Sequence, residues 1–66
     1  MKEFDIGDTI GFRYKGGRRV RGEVLYIDNK YLILKLKTDY IGRNLAWFKG
    51  EEKTFNIKEC KKFSKQ

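Results

Sequence analysis

The amino-acid sequence predicts an all-β fold, and three features carry that expectation. Apolar and polar residues alternate with period two in most segments, which suits half-buried strands rather than helices. Seven glycines and no proline supply the breaks between those segments. Aromatic residues make up 15% of the chain and recur along its whole length, which argues against disorder despite 38% charged residues. A chain of 66 residues has room for one domain, expected to be ordered over about residues 5–63 with a frayed tail at 64–66. A domain of this size buries only about 60% of the surface that its unfolded chain exposes, so the core must be small.

The first strand is expected from about Asp8 to Tyr14, with Ile10, Phe12 and Tyr14 on one face and Thr9, Gly11 and Arg13 on the other. The second is expected from about Arg18 to Ile27. It sets Val20, Gly22 and Val24 against Arg19, Arg21 and Glu23, but Leu25 and Ile27 then change the phase. A bulge or sharp bend near Val24–Tyr26 accounts for that change. Register decides the turn between the two strands. A two-residue turn at Gly16–Gly17 would oppose Phe12 to Arg21 and mix core with surface. A three-residue loop, Lys15-Gly16-Gly17, opposes Phe12 to Val20 and Arg13 to Arg19, and each face becomes consistent. Such loops commonly end in a left-handed residue, a conformation open to Gly17.

The segment "DNK" reads as a polar turn. In "YLILKLK", Leu32, Leu34 and Leu36 alternate with Tyr31, Ile33 and Lys35. This is the clearest strand and the expected centre of the sheet. "TDYIGRNLA" reads as a long loop. "WFKGEEKTFNI" reads as a hairpin turning near Gly50-Glu51-Glu52, "KEC" as one short helical turn, and "KKF" as a last short strand.

Five short strands in this order close most readily as a small barrel, because closure removes exposed edges. "IGDTIGF" resembles the "GD-x-V-x-F" that opens SH3-like barrels, and "RGEVLYI" resembles the "G-x-V" turn of KOW modules. In "DYIGRN", residues Asp39, Tyr40, Gly42 and Asn44 are similar to the "DYGN" stretch of Tudor domains, with two insertions. These resemblances imply a five-stranded SH3-like barrel with a single short helical turn before the last strand. The wider string "DYIGRN…W…KGE…FNIK" is similar to short proteins of Gram-positive bacteria and their phages, a resemblance that implies no activity.

The sequence holds one cysteine, Cys60, and no histidine, so neither an internal disulfide nor a zinc set can be built from it. A lone thiol suits a reducing cytosol. No signal-like apolar run opens "MKEFDIGDTI", and no segment approaches the ~20 apolar residues of a membrane span. A soluble cytoplasmic protein without a membrane role is expected. The parts of an enzyme are also missing. Asp5, Asp8, Asp28 and Asp39 stand in turn-like contexts, where aspartate bonds its own backbone. Glu51 and Glu52 fall in the expected hairpin turn, and Gly16–Gly17 lacks the strand-to-helix context of a phosphate loop. Cys60 is surrounded by Lys58, Lys61 and Lys62, which can lower a thiol pKa, but it has no base and no second cysteine beside it. No catalytic role, metal or cofactor is expected.

Charge points to a partner. The formal net charge is +7, and it is concentrated in two places. Arg13, Lys15, Arg18, Arg19 and Arg21 follow one another with no intervening acid, and Lys58, Lys61, Lys62 and Lys65 are accompanied only by Glu59. The chosen register opposes Arg13 to Arg19, at a cost on the order of a few tenths of a kcal/mol. The first expectation is nucleic-acid binding, to DNA or RNA. Clustered cations release counterions together, and arginine forks onto phosphate at two points. Arg13, Lys15, Arg18, Arg19 and Arg21 would contact phosphates, with Lys61 and Lys62 adding to them if the two basic segments lie together, and with Tyr31 and Phe48 available to stack on bases. The alternative is a protein-binding module or small inhibitor docking on an acidic protein. A groove of Tyr14, Tyr40, Trp47 and Phe48 would then anchor the partner.

Overall fold

The alternation that marks the strands also decides which faces they bury. The computed structural model describes residues 4–66. The chain forms strands β1 (Thr9–Tyr14), β2 (Arg19–Ile27), β3 (Tyr31–Leu36), β4 (Tyr40–Ile41), β5 (Ala46–Trp47) and β6 (Glu52–Asn56). A 3₁₀ turn at Ile57–Glu59 then leads into β7 (Cys60–Lys65). Five strands make one antiparallel sheet in the order β6-β3-β2-β1-β7, and β4 and β5 pair separately. The fold is all-β, as expected.

The first hairpin has the register derived from the sequence, with Phe12 opposite Val20 and Arg13 opposite Arg19. Its turn differs in one respect. The left-handed residues are Lys15 (φ 52°) and Gly16 (φ 72°), not Gly17. Two successive positive φ values match the right-handed twist of the flanking strands, and the Gly17 amide closes the turn onto the Tyr14 carbonyl at 2.9 Å. The phase change in β2 is a bulge between Val24 and Tyr26.

Ile10, Phe12, Val20, Val24, Leu32 and Leu34 are fully buried on the inner side, joined by Leu36, Phe55, Tyr40, Phe4 and Cys60. Phe12 of β1 meets Phe55 of β6 edge to face, with ring centroids 5.2 Å apart. Two strands lie between them, and in a flat sheet three inter-strand spacings would hold them about 14 Å apart. The sheet is therefore curled around its core. It does not close: β6 and β7 are its edges, and no ladder joins them. The expected closed barrel is thus corrected to an open, curled sheet.

Four further expectations are corrected. The centre of the sheet is β2 rather than β3. The stretch read as a long loop contains a small hairpin, with Tyr40 opposite Trp47 and Ile41 opposite Ala46. Trp47 therefore pairs backward with Tyr40, while β6 pairs with β3, and the hairpin expected over Trp47 to Ile57 does not form. Two-residue strands have no periodicity to read, which is why this pair escaped. Finally, the tail is paired rather than frayed. β7 continues to Lys65, and the Gln66 amide donates to the Thr9 carbonyl at 2.8 Å.

Candidate nucleic-acid interface

Strand β1 lies between β2 and β7, so Arg13 has two cross-strand neighbours. It faces Arg19 of β2 on one side and Lys61 of β7 on the other. Arg21 and Ser64 flank Gly11 in the same way. The two basic segments, distant in sequence, thus form one surface on the outer side of the sheet. Lys37 extends it, since its amide donates to the Arg21 carbonyl at 2.9 Å.

Gly11 gives the arginine of β2 its path across β1. Arg19 donates from Nη2 to Ser64 Oγ at 2.8 Å and from Nη1 to the Lys62 carbonyl at 3.5 Å. A Cβ at Gly11 would stand 3.1 Å from Arg19 Nη2, so the guanidinium rests in the space that a side chain would fill. Arg13 is fixed differently. Its Nε donates to the Gly17 carbonyl at 3.0 Å and its Nη2 to the Gly16 carbonyl at 3.4 Å, which folds it over the turn. Both groups are held by neutral acceptors.

A bulge in the β1–β7 ladder explains why two successive lysines face outward. Gly11 opposes Ser64 and Arg13 opposes Lys61, so Phe12 faces two residues, Lys62 and Phe63. Lys62 takes a left-handed conformation, φ 56°. That costs about 1–2 kcal/mol for a residue with a Cβ. In return, Phe63 turns inward to Phe4 (5.4 Å) and Phe12 (5.3 Å), while Lys61 and Lys62 both stay exposed. Strict alternation would have sent one of the lysines inside.

Neutralisation is slight. Among the described residues the ion pairs are Lys15–Glu59 (4.0 Å), Lys53–Glu51 (3.4 Å) and Lys65–Asp8 (3.5 Å). None involves Arg13, Arg18, Arg19, Arg21, Lys61 or Lys62. Lys15 is the exception among the expected contacts, because it leans toward Glu59 and over the Tyr14 ring at 5.4 Å. The Asp8 carboxyl is held below its ordinary range, first by the Asp5 amide and also by Lys65. Beside the turn, Arg13, Arg18, Arg19 and Lys62 line an open cleft of about 570 Å³. Asp39–Ile41 also line it, a stretch from which the sequence offered Tyr40 only as an aromatic anchor.

The aromatic residues separate into three groups. Tyr31 is 47% exposed, as is Tyr26 at 45%. Tyr26 faces Ile33 across the ladder, on the side opposite the buried leucines of β3. Both tyrosines therefore share the outer face with Arg19 and Arg21, and Tyr26 lies about 16 Å along the strand from Arg21. Asp28 fixes this end: it accepts from Tyr26 Oη at 2.7 Å and from the Lys30 and Tyr31 amides. The Tyr26 hydroxyl and then those amides lower the Asp28 pKa, while Asp28 raises that of Tyr26. Phe48 is exposed but sits in the turn Phe48–Glu51, which bonds to Leu36 at the other end of β3. It cannot form one stacking platform with Tyr31. The third group is turned into the core. Tyr40 is 7% exposed and stacks on Trp47 at 5.0 Å, and Tyr14 packs on Trp47 at 5.5 Å and on Phe55 at 5.3 Å. The expected groove of Tyr14, Tyr40 and Trp47 is filled by its own rings.

Cys60 is buried, and its Sγ lies 3.4 Å from the Asn56 carbonyl. Burial, and secondarily Glu59, push its thiol up to about 12, the reverse of what the neighbouring lysines suggested. Among the described residues no helix is long and apolar enough to cross a membrane. Compared with protein-family models, curated proteins and solved structures, the chain finds no match.

The sequence reading missed the bulge at Lys62 and the place of Asp39–Ile41 in the cleft. A signal for the first was present. Cys60 and Phe63 are both apolar but three apart, and an odd spacing within a strand marks a bulge. The second had no such signal, because only the fold brings that stretch to the turn.

Proposed function

We propose that this protein binds single-stranded nucleic acid, non-enzymatically, in the cytoplasm. The phosphates lie on the cationic corner and the bases stack toward Tyr26 and Tyr31. The observation that carries this reading is the row Arg19–Arg13–Lys61 across three adjacent strands, with no carboxylate paired to any of the three among the described residues. Such a row concentrates positive potential where a flexible anionic chain can neutralise it at several points. Exposed tyrosines on the same face add a sequence-tolerant stacking surface. We also read the order β6-β3-β2-β1-β7, with a 3₁₀ turn before the last strand, as an SH3-like arrangement left open at one seam. Docking on an acidic protein through aromatic anchors is the weaker reading, because Tyr40 is buried and Trp47 is half-buried.

The test is a titration of the isotope-labelled protein with single-stranded oligonucleotides at several salt concentrations. The amides of Arg13, Arg19 and Arg21 should shift. The logarithm of affinity should fall against the logarithm of salt with a slope of about −2 to −3, for three or four phosphates at about −0.7 each. Charge reversal at Arg19 and Arg21 together should abolish binding and leave the domain folded. Unmoved arginine amides at low salt, or undiminished affinity in the folded double variant, would overturn the reading.

A further inference from the structure

The cleft beside the first turn has a composition that a plain anion site would not need. Its lining includes four cations, Arg13, Arg18, Arg19 and Lys62. The same lining includes Ile41, 50% exposed, and Asp39. Asp39 is fixed in place, since its Oδ1 accepts from the Lys49 amide at 2.8 Å. It forms no ion pair with the four cations among the described residues. A carboxylate accepts hydrogen bonds and donates none. At this position it repels a bare phosphate and attracts an N–H or O–H group. The exposed Ile41 suits a flat apolar ring or a sugar. A ligand satisfying the cations, the isoleucine and the carboxylate together carries an anion, a ring and a hydrogen-bond donor within one small unit.

We propose that the cleft takes a single nucleotide unit of the bound strand. Its phosphate lies on Arg18, Arg19 and Lys62, its sugar and base lie against Ile41, and Asp39 accepts from a donor on the nucleotide. This rests on the nucleic-acid reading above and makes it more specific, by placing one nucleotide in a shaped site rather than on an open face. The donor is either a ribose 2′-hydroxyl or a base N–H. The first separates RNA from DNA, and the second separates one base from another.

The experiment compares the intact protein with its Asp39→Asn variant, using oligouridylate, oligothymidylate, oligodeoxycytidylate and inorganic phosphate as probes. The asparagine oxygen can still accept from the Lys49 amide, so the cleft keeps its shape while losing that charge. In the unaltered protein the Gly17, Ile41 and Lys62 amides should shift with oligonucleotides. In Asp39→Asn, inorganic phosphate should bind more tightly, because a repelling charge is gone. The preferred oligonucleotide should bind about tenfold more weakly, the loss of one charge-assisted hydrogen bond. Loss confined to oligouridylate identifies the 2′-hydroxyl, and loss shared with a deoxy strand identifies the base. Ile41→Ser supplies an independent check: it should weaken oligonucleotides and leave inorganic phosphate unchanged. If Asp39→Asn tightens phosphate and oligonucleotide alike, the cleft is a plain anion site and the proposal fails. If Arg21 and Lys35 shift while Gly17, Ile41 and Lys62 stay still, the outer face binds without the cleft, and only this proposal falls. If neither set moves, the nucleic-acid reading itself falls.

Discussion

The two sides of the first hairpin use alternate residues of the same strands and carry opposite burdens. The inner side places Ile10, Phe12, Val20 and Val24 in the core, each essentially without exposure. Burying each stabilises the fold by about 1.5–3 kcal/mol. The outer side opposes Arg13 to Arg19 at a cost of a few tenths of a kcal/mol, roughly. The inner side wins by an order of magnitude, and it holds the register regardless of what the outer side carries. Stability is thereby carried by the inner face alone, and a repulsive pair can be kept on the outer face without endangering the fold.

The sharpest way to break that comparison is Phe12→Ala. It should cost about 3–5 kcal/mol in denaturant melts, enough to unfold much of so small a domain. A midpoint close to that of the parent would place the stabilising contacts elsewhere. Gly22→Ala comes next. A Cβ there would stand 2.6 Å from the Lys35 carbonyl oxygen, which belongs to the backbone and cannot swing away. About 1–3 kcal/mol of destabilisation is expected, read from the same melts.

Alkaline titration probes the inner side by another route. The unfolded thiol of Cys60 releases its proton near its ordinary 9.0, whereas the folded one retains it to about 12. The stability it contributes is therefore complete below pH 9 and drains away between 9 and 12. Comparing melts at neutral and alkaline pH, Cys60→Ala should lose less stability than the parent. Equal losses would mean that the thiol is not shielded. The smallest effect belongs to the outer side. Gly11→Ala meets mainly the far end of Arg19, a flexible group, so the melting midpoint should barely move, within about 0.5 kcal/mol. Arg19 should nonetheless leave Ser64, and oligonucleotide affinity should drop. A large stability loss in Gly11→Ala would erase the distinction between the faces.

How far the molecule was legible follows from the same division. The register of β1 and β2 was readable because Phe12 and Val20 had to share a side. The bulge after Val24 was readable because Leu25 and Ile27 broke the phase. Both are consequences of burial, which leaves a periodic trace. The Tyr40–Trp47 pair was not readable, since strands of two residues show no period. The open seam was not readable either, since edge pairing between β6 and β7 depends on the accumulated curl of the whole sheet. On the outer side, the cations were visible as a cluster, but their union with Lys61 and Lys62 required knowing that β7 lies beside β1. The same lack of adjacency hid Asp39 and Ile41.

The kink at Lys62 also bears on what the molecule does in a crowd of its own copies. An unpaired sheet margin invites another chain to add itself as a further strand, and repetition of that step leads to fibres. Along β7 an incoming strand would meet a bent rail studded with the ammonium groups of Lys61, Lys62 and Lys65, and could not keep step with it for more than a few residues. The contortion that turns two lysines outward therefore also guards this margin against runaway assembly.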